Sequence, residues 1–214
     1  MHIDGLIFDL DGVLTDTVPA QIKVWGETFR YFGFAFNDDI YRKHVDGRLA
    51  FDGARAVMQG ASDDAIHAAV LRKEASYLRC LEAGELRIFE NARKFVKRCH
   101  SKGYRMGVAS SSDHAREVLR MAHLTNYFEC VVCGNDVKQG KPAPDIFIAA
   151  ADLLGLSPDQ CVVFEDSHAG IRAAISGGFY CIGICDERPK ATLWEANQVH
   201  RSFEGVASNW DFTS

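Results

Sequence analysis

The chain of 214 residues predicts an α/β fold, a doubly wound parallel sheet that carries an inserted all-helical cap domain. Short apolar runs alternate with helical patterns over most of the chain, and one long segment near the start carries helical patterns alone. The length is sufficient for one such domain with an insertion. We expect the core to comprise residues 1–17 and 87–214, and the cap residues 18–86.

Apolar runs that are too short for buried helices indicate five parallel strands. They are Ile3–Leu10, Tyr104–Ala109, Cys130–Cys133, Cys161–Glu165 and Tyr180–Ile184. Helical patterns lie between them at Ala92–Lys102, Asp113–Ala122, Asp145–Leu154 and Ala169–Ser176. Ser112-Asp113 is expected to cap the second of these helices, and the tail after Asp186 is interpreted as short and irregular.

The segment from 18 to 86 contains no convincing buried strand. Its helical patterns are Pro19–Tyr31, Asp38–Val45, Leu49–Met58 and Asp63–Glu82. An insertion after the first strand should lie above the carboxyl edge of the sheet, where ligands bind in this architecture. Five aromatic residues early in the segment have a spacing that favours packing between cap helices: Phe29, Tyr31, Phe32, Phe34 and Phe36.

Composition and charge exclude several classes of protein. With a net charge of −5 the chain lacks the excess of positive charge that is typical of nucleic-acid-binding proteins, and no apolar run is long enough to span a bilayer. We expect a cytoplasmic protein, because no basic segment precedes the first strand and the seven cysteines are scattered. Cys130 and Cys133 should point to opposite faces of a strand, so we do not expect them to bind one metal ion together. We also expect the protein to be a monomer.

Two carboxylates, Asp9 and Asp11, follow the first strand, and Gly12 permits a tight turn beside a ligand. Asp9 could act as a nucleophile that forms an aspartyl phosphate, with Asp11 as general acid and base. Two acids at a strand end can equally cap a loop. After the second strand, Ser110 and Ser111 offer hydroxyls and backbone N–H groups to phosphate oxygens, although serine-rich loops are common.

Further charged residues follow the later strands. Lys141 stands in a proline-bracketed loop, where it could neutralise a phosphate, although a lone lysine is usually a solvated charge. Glu165 and Asp166 follow the fourth strand and add hard oxygen ligands to those of Asp9 and Asp11. These four acids predict a Mg²⁺ site, which would also screen the attack of a carboxylate on a phosphate.

In this order, the motifs Asp9-x-Asp11, Ser110, Lys141 and Glu165-Asp166 resemble the haloacid dehalogenase-like superfamily, particularly its β-phosphoglucomutase and small-molecule phosphatase members. The resemblance covers nearly the whole chain and implies a Rossmann-like core. It implies that Asp9 is the nucleophile and a metal ligand, and that Asp11 is the acid and base and binds metal through its carbonyl. Ser110 and Lys141 would hold the phosphoryl group, and Asp166 with Glu165 would anchor Mg²⁺.

The resemblance leaves the phosphoryl acceptor open between water and a sugar phosphate. Arg48 falls near the cap position where mutases of the family hold the distal phosphate, although it can equally be a solvated arginine at a helix end. Lys73 stands where these mutases carry a cap lysine, and Gly47, Arg48 and Lys73 are the candidates for substrate contacts in the cap. The gating histidine of the mutases is replaced by Gln21, and a basic residue by Asp113, whose charge would repel a second phosphate. These departures favour a phosphatase of a sugar or polyol phosphate, with a β-phosphoglucomutase-type mutase as the alternative.

Two other classes agree less well with the sequence. A phospho-receiver must leave its aspartate open to a partner kinase, whereas this chain carries a cap and the Asp9-x-Asp11 spacing. Dehalogenases of the superfamily lack an acid at the second position and need no Mg²⁺, whereas Asp11 is present.

Overall fold

The structure, a computed structural model, describes residues 2–84, 86–185 and 193–209. The strands in these ranges are β1 (Gly5–Phe8), β2 (Arg105–Ala109), β3 (Cys130–Val132), β4 (Cys161–Glu165), β5 (Tyr180–Ile184) and β6 (Gln198–His200). They form one parallel sheet in the order β3-β2-β1-β4-β5-β6. The order reverses at β1, which creates a crevice at the carboxyl ends of the strands and confirms the predicted fold class.

Nine α-helices lie in the described ranges. They are α1 (Val18–Tyr31), α2 (Asp38–His44), α3 (Ala50–Val57), α4 (Asp63–Glu82), α5 (Glu90–Ser101), α6 (Ala115–Met121), α7 (Asp145–Leu153), α8 (His168–Ser176) and α9 (Phe203–Asn209). Short 3₁₀ turns occur at Thr125–Tyr127, Gly134–Asp136 and Pro158–Gln160. The first four α-helices follow β1 without an intervening strand, so the predicted helical cap is present.

Helices cover both faces of the sheet. Along β1, Leu6 and Phe8 pack on the face that α5, α6 and α9 cover, whereas Ile7 packs on the face that α7 and α8 cover. Because both faces are buried, the four inner strands β1, β2, β4 and β5 are apolar and their polar groups are confined to the strand ends. This arrangement leaves the carboxyl edge as the place where charged side chains can meet.

The tail departs from its predicted irregular structure, since β6 and α9 both lie after Asp186. β6 is a three-residue edge strand whose side chains are all half-buried, so it lacks the apolar run that marks the inner strands. The first strand is also shorter than predicted, at Gly5–Phe8. There the chain leaves the ladder at Asp9, where the tight turn at Gly12 follows.

The starts of two helices also differ from their predicted positions. α6 begins at Ala115, after His114, and the hydroxyl of Ser112 accepts a hydrogen bond from the His114 N–H at 3.3 Å. The predicted Ser112-Asp113 cap is therefore wrong, because these residues form a turn ahead of the helix. α5 begins at Glu90 rather than Ala92.

The two segments that join the cap to the core lie side by side. The N–H of Asp16 donates to the carbonyl of Arg87 at 2.8 Å, and Thr15 and Ile88 form an antiparallel bridge. The N–H of Phe89 donates to the carbonyl of Leu14 at 3.1 Å. This pairing forms a two-stranded linker, and the proposed boundaries at 17/18 and 86/87 fall at its outer end.

The cap has its own apolar cluster, in which Trp25 stacks on Phe29 with ring centroids 4.9 Å apart. Phe32, Phe34 and Phe36 pack against this cluster as predicted. Tyr31 does not, since it is 67% exposed at the end of α1 and lies 4.0 Å from the guanidinium of Arg72. The cap can therefore hold its shape while it contacts the core.

All seven cysteines are free thiols. Cys133 packs on the α6 side of the sheet and Cys130 on the α7 side, so one metal ion cannot use both, as predicted. No helix within the described ranges is long and apolar enough to cross a membrane.

Candidate active site

The carboxyl edge of the sheet brings together polar residues from four strand ends. Asp9 and Ser110 directly follow β1 and β2, and their N–H groups continue the ladder to Phe164 and Val132 at 2.9 and 3.0 Å. Lys141 comes from the loop between β3 and α7, and Glu165 ends β4. All four of these residues are buried. Parallel strands that end at one level therefore place these side chains close together.

Lys141 joins two of these carboxylates. Its Nζ lies 2.5 Å from Asp9 Oδ1 and 2.6 Å from Glu165 Oε1, and it also donates to the carbonyl of Ala109 at 3.3 Å. Burial raises the pKa of Asp9 well above its usual range, although the charge of Lys141 opposes this shift. Burial by itself lowers the pKa of Lys141, but Asp9 and Glu165 outweigh it, so the pKa is raised and the ammonium persists.

Glu165 is held on both sides of its carboxylate. Oε1 accepts from Lys141, and Oε2 accepts from the N–H groups of Asp166 and Ser167 at 2.7 Å each and from the Ser167 hydroxyl at 3.0 Å. Gly170 makes room, because a Cβ there would overlap the Glu165 carboxylate. These contacts make Glu165 an anchor for Lys141 and for the turn into α8.

Three buried carboxylates form a candidate metal centre. Asp9, Glu165 and Asp166 each offer an oxygen, and these atoms lie within 4.8 Å of one another. A set of carboxylate oxygens suits a hard divalent cation. Because protein donors already occupy both oxygens of Glu165, Asp9 and Asp166 are the better placed ligands. Gly12, at φ +86°, keeps space open beside Asp166 Oδ2, where a Cβ would overlap.

Asp11 lies outside that group of three, and its side chain is held from two directions. The hydroxyl of Thr17 donates to Asp11 Oδ1, and the phenol of Tyr77 in α4 donates to the same oxygen at 3.4 Å. Burial, followed by the charge of Asp11, raises the pKa of Tyr77, so the phenol stays protonated as a donor. The cap therefore contacts a predicted catalytic carboxylate directly.

A cavity lies between the sheet edge and the cap. Most of the predicted site residues line it: Asp9, Asp11, Ser110, Ser111 and Asp166 from the core, and Arg48 and Lys73 from the cap. Lys141 and Glu165 are not in its lining, because they lie beneath Asp9. Asp113 is exposed and also does not line the cavity, contrary to our expectation that it would face a second phosphate.

Several residues that line or support this cavity were not predicted from the sequence, notably Glu74 and Tyr77. Tyr77 lies one helical turn after Lys73, with the ammonium 5.0 Å from its ring, and Glu74 Oε1 lies 3.1 Å from the same ammonium. The spacing of four residues between Lys73 and Tyr77 could have indicated a shared helix face. Their contacts with the core required the folded chain.

One loop of the cap contacts two loops of the core. The Ser111 hydroxyl donates to the carbonyl of Gly47 at 2.7 Å, so Ser111 binds the cap as well as lining the cavity. The side chain of Leu49 lies against Gly134 and Gly140, where a Cβ at either glycine would crowd it. At this loop the cap meets the core through a hydrogen bond and through an apolar side chain that lies against two glycines.

Truncating Leu49 to alanine is expected to weaken the contact that holds the cap against the core. Losing part of a half-buried leucine removes about 1 kcal/mol of apolar contact, which corresponds to a rise in KM of about fivefold. Steady-state kinetics with a phosphate monoester measure this change. Leu71→Ala removes the same atoms from a cap leucine that is 71% exposed, and it should leave KM unchanged. Equal KM values for both variants would contradict the contact's role.

The comparisons with known proteins agree with this geometry. A model of the haloacid dehalogenase-like hydrolases matches residues 3–178. A β-phosphoglucomutase of Mycobacterium bovis is 32% identical over 209 residues, with 83% of this chain and 79% of that protein covered. Fructose-1-phosphate phosphatase YqaB of Escherichia coli is 31% identical over 187 residues, with 84% of this chain and 95% of that protein covered.

The fold itself has solved counterparts. The crystal structure of a β-phosphoglucomutase from Clostridium difficile superposes with a TM-score of 0.87 at 23% identity, covering 95% of this chain and 93% of that one. At that identity, the likeness establishes the fold alone. The family is shown by the match over residues 3–178: this chain belongs to the haloacid dehalogenase-like hydrolases.

Proposed function

We propose that the chain is a Mg²⁺-dependent phosphatase that hydrolyses a small phosphorylated metabolite, a sugar or polyol phosphate, through an aspartyl phosphate on Asp9. The observation that carries this proposal is the buried contact of Asp9 with Lys141 below a cavity that the cap covers. The named relatives include a sugar phosphatase and phosphoglucomutases, which supports phosphoryl transfer as the reaction class.

Asp9 is suited to be the nucleophile because Lys141 fixes its carboxylate and because Asp9 lines the cavity in which a phosphate would lie. Asp9, Asp166 and the carbonyl of Asp11 would hold Mg²⁺, which supplies charge neutralisation when bound. Ser110 and Ser111 also line the cavity, where the hydroxyl of Ser110 can donate to a phosphate oxygen, whereas that of Ser111 already donates to Gly47. Lys141 acts from beneath, and its positive charge offsets the anionic character of Asp9 and of an incoming phosphate.

Asp11 would protonate the oxygen that leaves with the substrate and then take a proton from the attacking water. Thr17 and Tyr77 hold its carboxylate in one position, and Tyr77 does so only while α4 lies over the core. This arrangement couples the position of the acid and base to the contact of the cap with the core. A covered site also excludes bulk water while the phosphoryl group passes from the substrate to Asp9.

A phosphosugar mutase of the β-phosphoglucomutase type is the second candidate. The observation that favours it is that Arg48 and Lys73 both line the cavity, where two cations could hold the far phosphate of a sugar bisphosphate. Gln21, buried in the same cavity, favours the phosphatase, because an amide cannot titrate to gate the reaction. The two activities differ in whether phosphate is released.

The test is a screen of sugar and polyol monophosphates for phosphate release, with and without Mg²⁺, beside an assay of β-glucose 1-phosphate isomerisation. We expect release that chelation by EDTA abolishes and that restored Mg²⁺ recovers, because the carboxylates otherwise repel the phosphate. Efficient isomerisation with little phosphate release would replace the phosphatase by the mutase. Turnover that is unaffected by EDTA would contradict the metal requirement.

A further inference from the structure

Helix α4 of the cap presents a carboxylate to the substrate cavity. Glu74 lines this cavity beside Lys73, and its Oε1 lies 3.1 Å from the Lys73 ammonium. Three residues further on, Tyr77 donates to Asp11, so this part of α4 lies directly over the predicted catalytic carboxylates. Any substrate whose phosphate reaches Asp9 would therefore bring the rest of its body close to Glu74.

Glu74 is held by the core as well as by the cap. Its Oε2 lies 2.9 Å from Nε2 of His114, which precedes α6 in the core. The two atoms are close but not aligned for a hydrogen bond, and neither has another hydrogen-bond partner among the described residues. Both atoms are shielded from solvent, so the contact with His114 fixes the carboxylate of Glu74 where the cap meets the core.

The surroundings of Glu74 keep it negatively charged. Burial favours the neutral acid, but the contact with His114 and the charge of Lys73 outweigh burial, and the pKa of Glu74 is lowered. Lys73 is itself 4% exposed and lies over Trp25 at 5.4 Å, so its charge is committed to neighbours within the cap. Glu74 thus cancels a cation that would otherwise be available to an anionic ligand.

The formal charges on the cap side of the cavity are balanced. Among the described lining residues of the cap, Arg48 and Lys73 are cationic, whereas Asp46 and Glu74 are anionic. A phosphate dianion needs an excess of positive charge, whereas hydroxyl groups hydrogen-bond to charges of either sign. The cap side is therefore better suited to a neutral hydroxylated group than to a second phosphate.

We propose that Glu74 is a specificity-determining residue that selects substrates with one phosphate and a neutral polyhydroxylated end, and that disfavours bisphosphates. The proposal deepens the phosphatase function and rests on it. In this proposal the charge that repels a second phosphate is that of Glu74, which lines the cavity, and not that of Asp113 in the core. His114 acts as a positioning residue, since it contacts Glu74 from the core.

The test compares the affinities of glucose 6-phosphate and glucose 1,6-bisphosphate by calorimetry with Mg²⁺, in Asp9→Asn protein that does not turn over. Adding Glu74→Gln keeps the shape of the side chain but removes its charge. We expect the affinity ratio to shift about tenfold towards the bisphosphate, which is about 1.4 kcal/mol, because the repulsion acts on that ligand alone. Thermal unfolding of both proteins checks that the fold is retained.

Asp113→Asn is the matched control. Asp113 is close enough to Glu74 to feel its charge: partial desolvation, followed by that charge, raises the pKa of Asp113, although the residue is exposed. This control removes one negative charge from a residue that does not line the cavity. The ratio of its affinities for the bisphosphate and the monophosphate should stay within about twofold of the ratio in the Asp9→Asn parent. An unchanged ratio in Glu74→Gln, equal shifts in both variants, or a parent that prefers the bisphosphate would each overturn the proposal.

The readout separates this proposal from the proposed function. Binding to the Asp9→Asn protein requires no turnover, so the ratio tests Glu74 even where the wild type releases no phosphate. Absence of release would count against the phosphatase alone. Failure of both sugars to bind the parent at millimolar concentration would overturn the role of Glu74, because the cavity would then not accept a phosphorylated sugar.

Discussion

Replacing Asp9 by asparagine is expected to lower kcat for phosphate release by about 10³-fold or more, the scale of loss of a covalent nucleophile. An amide is nearly the same size as a carboxylate but is a poor nucleophile, so no aspartyl phosphate can form. The amide oxygen can still accept a hydrogen bond from Lys141, whose Nζ lies 2.5 Å from the carboxylate oxygen of Asp9. We therefore expect the variant to fold and to bind substrate with little activity.

The measurement is the rate of Mg²⁺-dependent phosphate release, made beside thermal unfolding of the same sample. Asp39→Asn is a matched control, since it makes the same chemical change at an exposed position in α2 of the cap. The control should retain the wild-type kcat. Wild-type rates in Asp9→Asn would show that the reaction does not proceed through this carboxylate.

Replacing Lys141 by methionine should abolish activity and also destabilise the fold, by about 3–5 kcal/mol, the cost of breaking a buried ion pair. Lys141 is fully buried, and it contacts Asp9 and Glu165 within 2.6 Å. Methionine fills a similar volume but leaves two buried carboxylates without their common cation. Urea denaturation measures the change in the free energy of unfolding.

A second variant separates stability from catalysis at this position. In Lys141→Met with Glu165→Gln, one of the two uncompensated charges is removed, so we expect part of the lost stability to return while turnover stays absent. Arg105→Met is the surface control, because the pair of Arg105 with Glu129 is exposed and solvent-screened. If Lys141→Met and Arg105→Met unfolded at the same urea concentration, Lys141 would not be the buried counter-charge that its contacts indicate.

Much of the architecture could be predicted from local patterns. Short apolar runs located the strands β1 to β5, and the inner ones among them are apolar because both of their faces are buried. The cap was recognisable because helical periodicity continued from 18 to 86 without a strand. β6 escaped prediction because a three-residue, half-buried edge strand carries too few apolar residues to produce a pattern.

The candidate site, too, could be predicted from the sequence only in part. The sequence shows which chemical groups follow each strand, and in a parallel sheet those groups meet at one edge, so we could predict that Asp9, Ser110 and Lys141 lie close together. The position of Lys141 beneath Asp9 and the place of Glu74 in the cavity lining became visible only in the folded chain. Burial, charge pairing and the position of the cap depend on residues that are far apart in the chain, and no local sequence pattern contains that information.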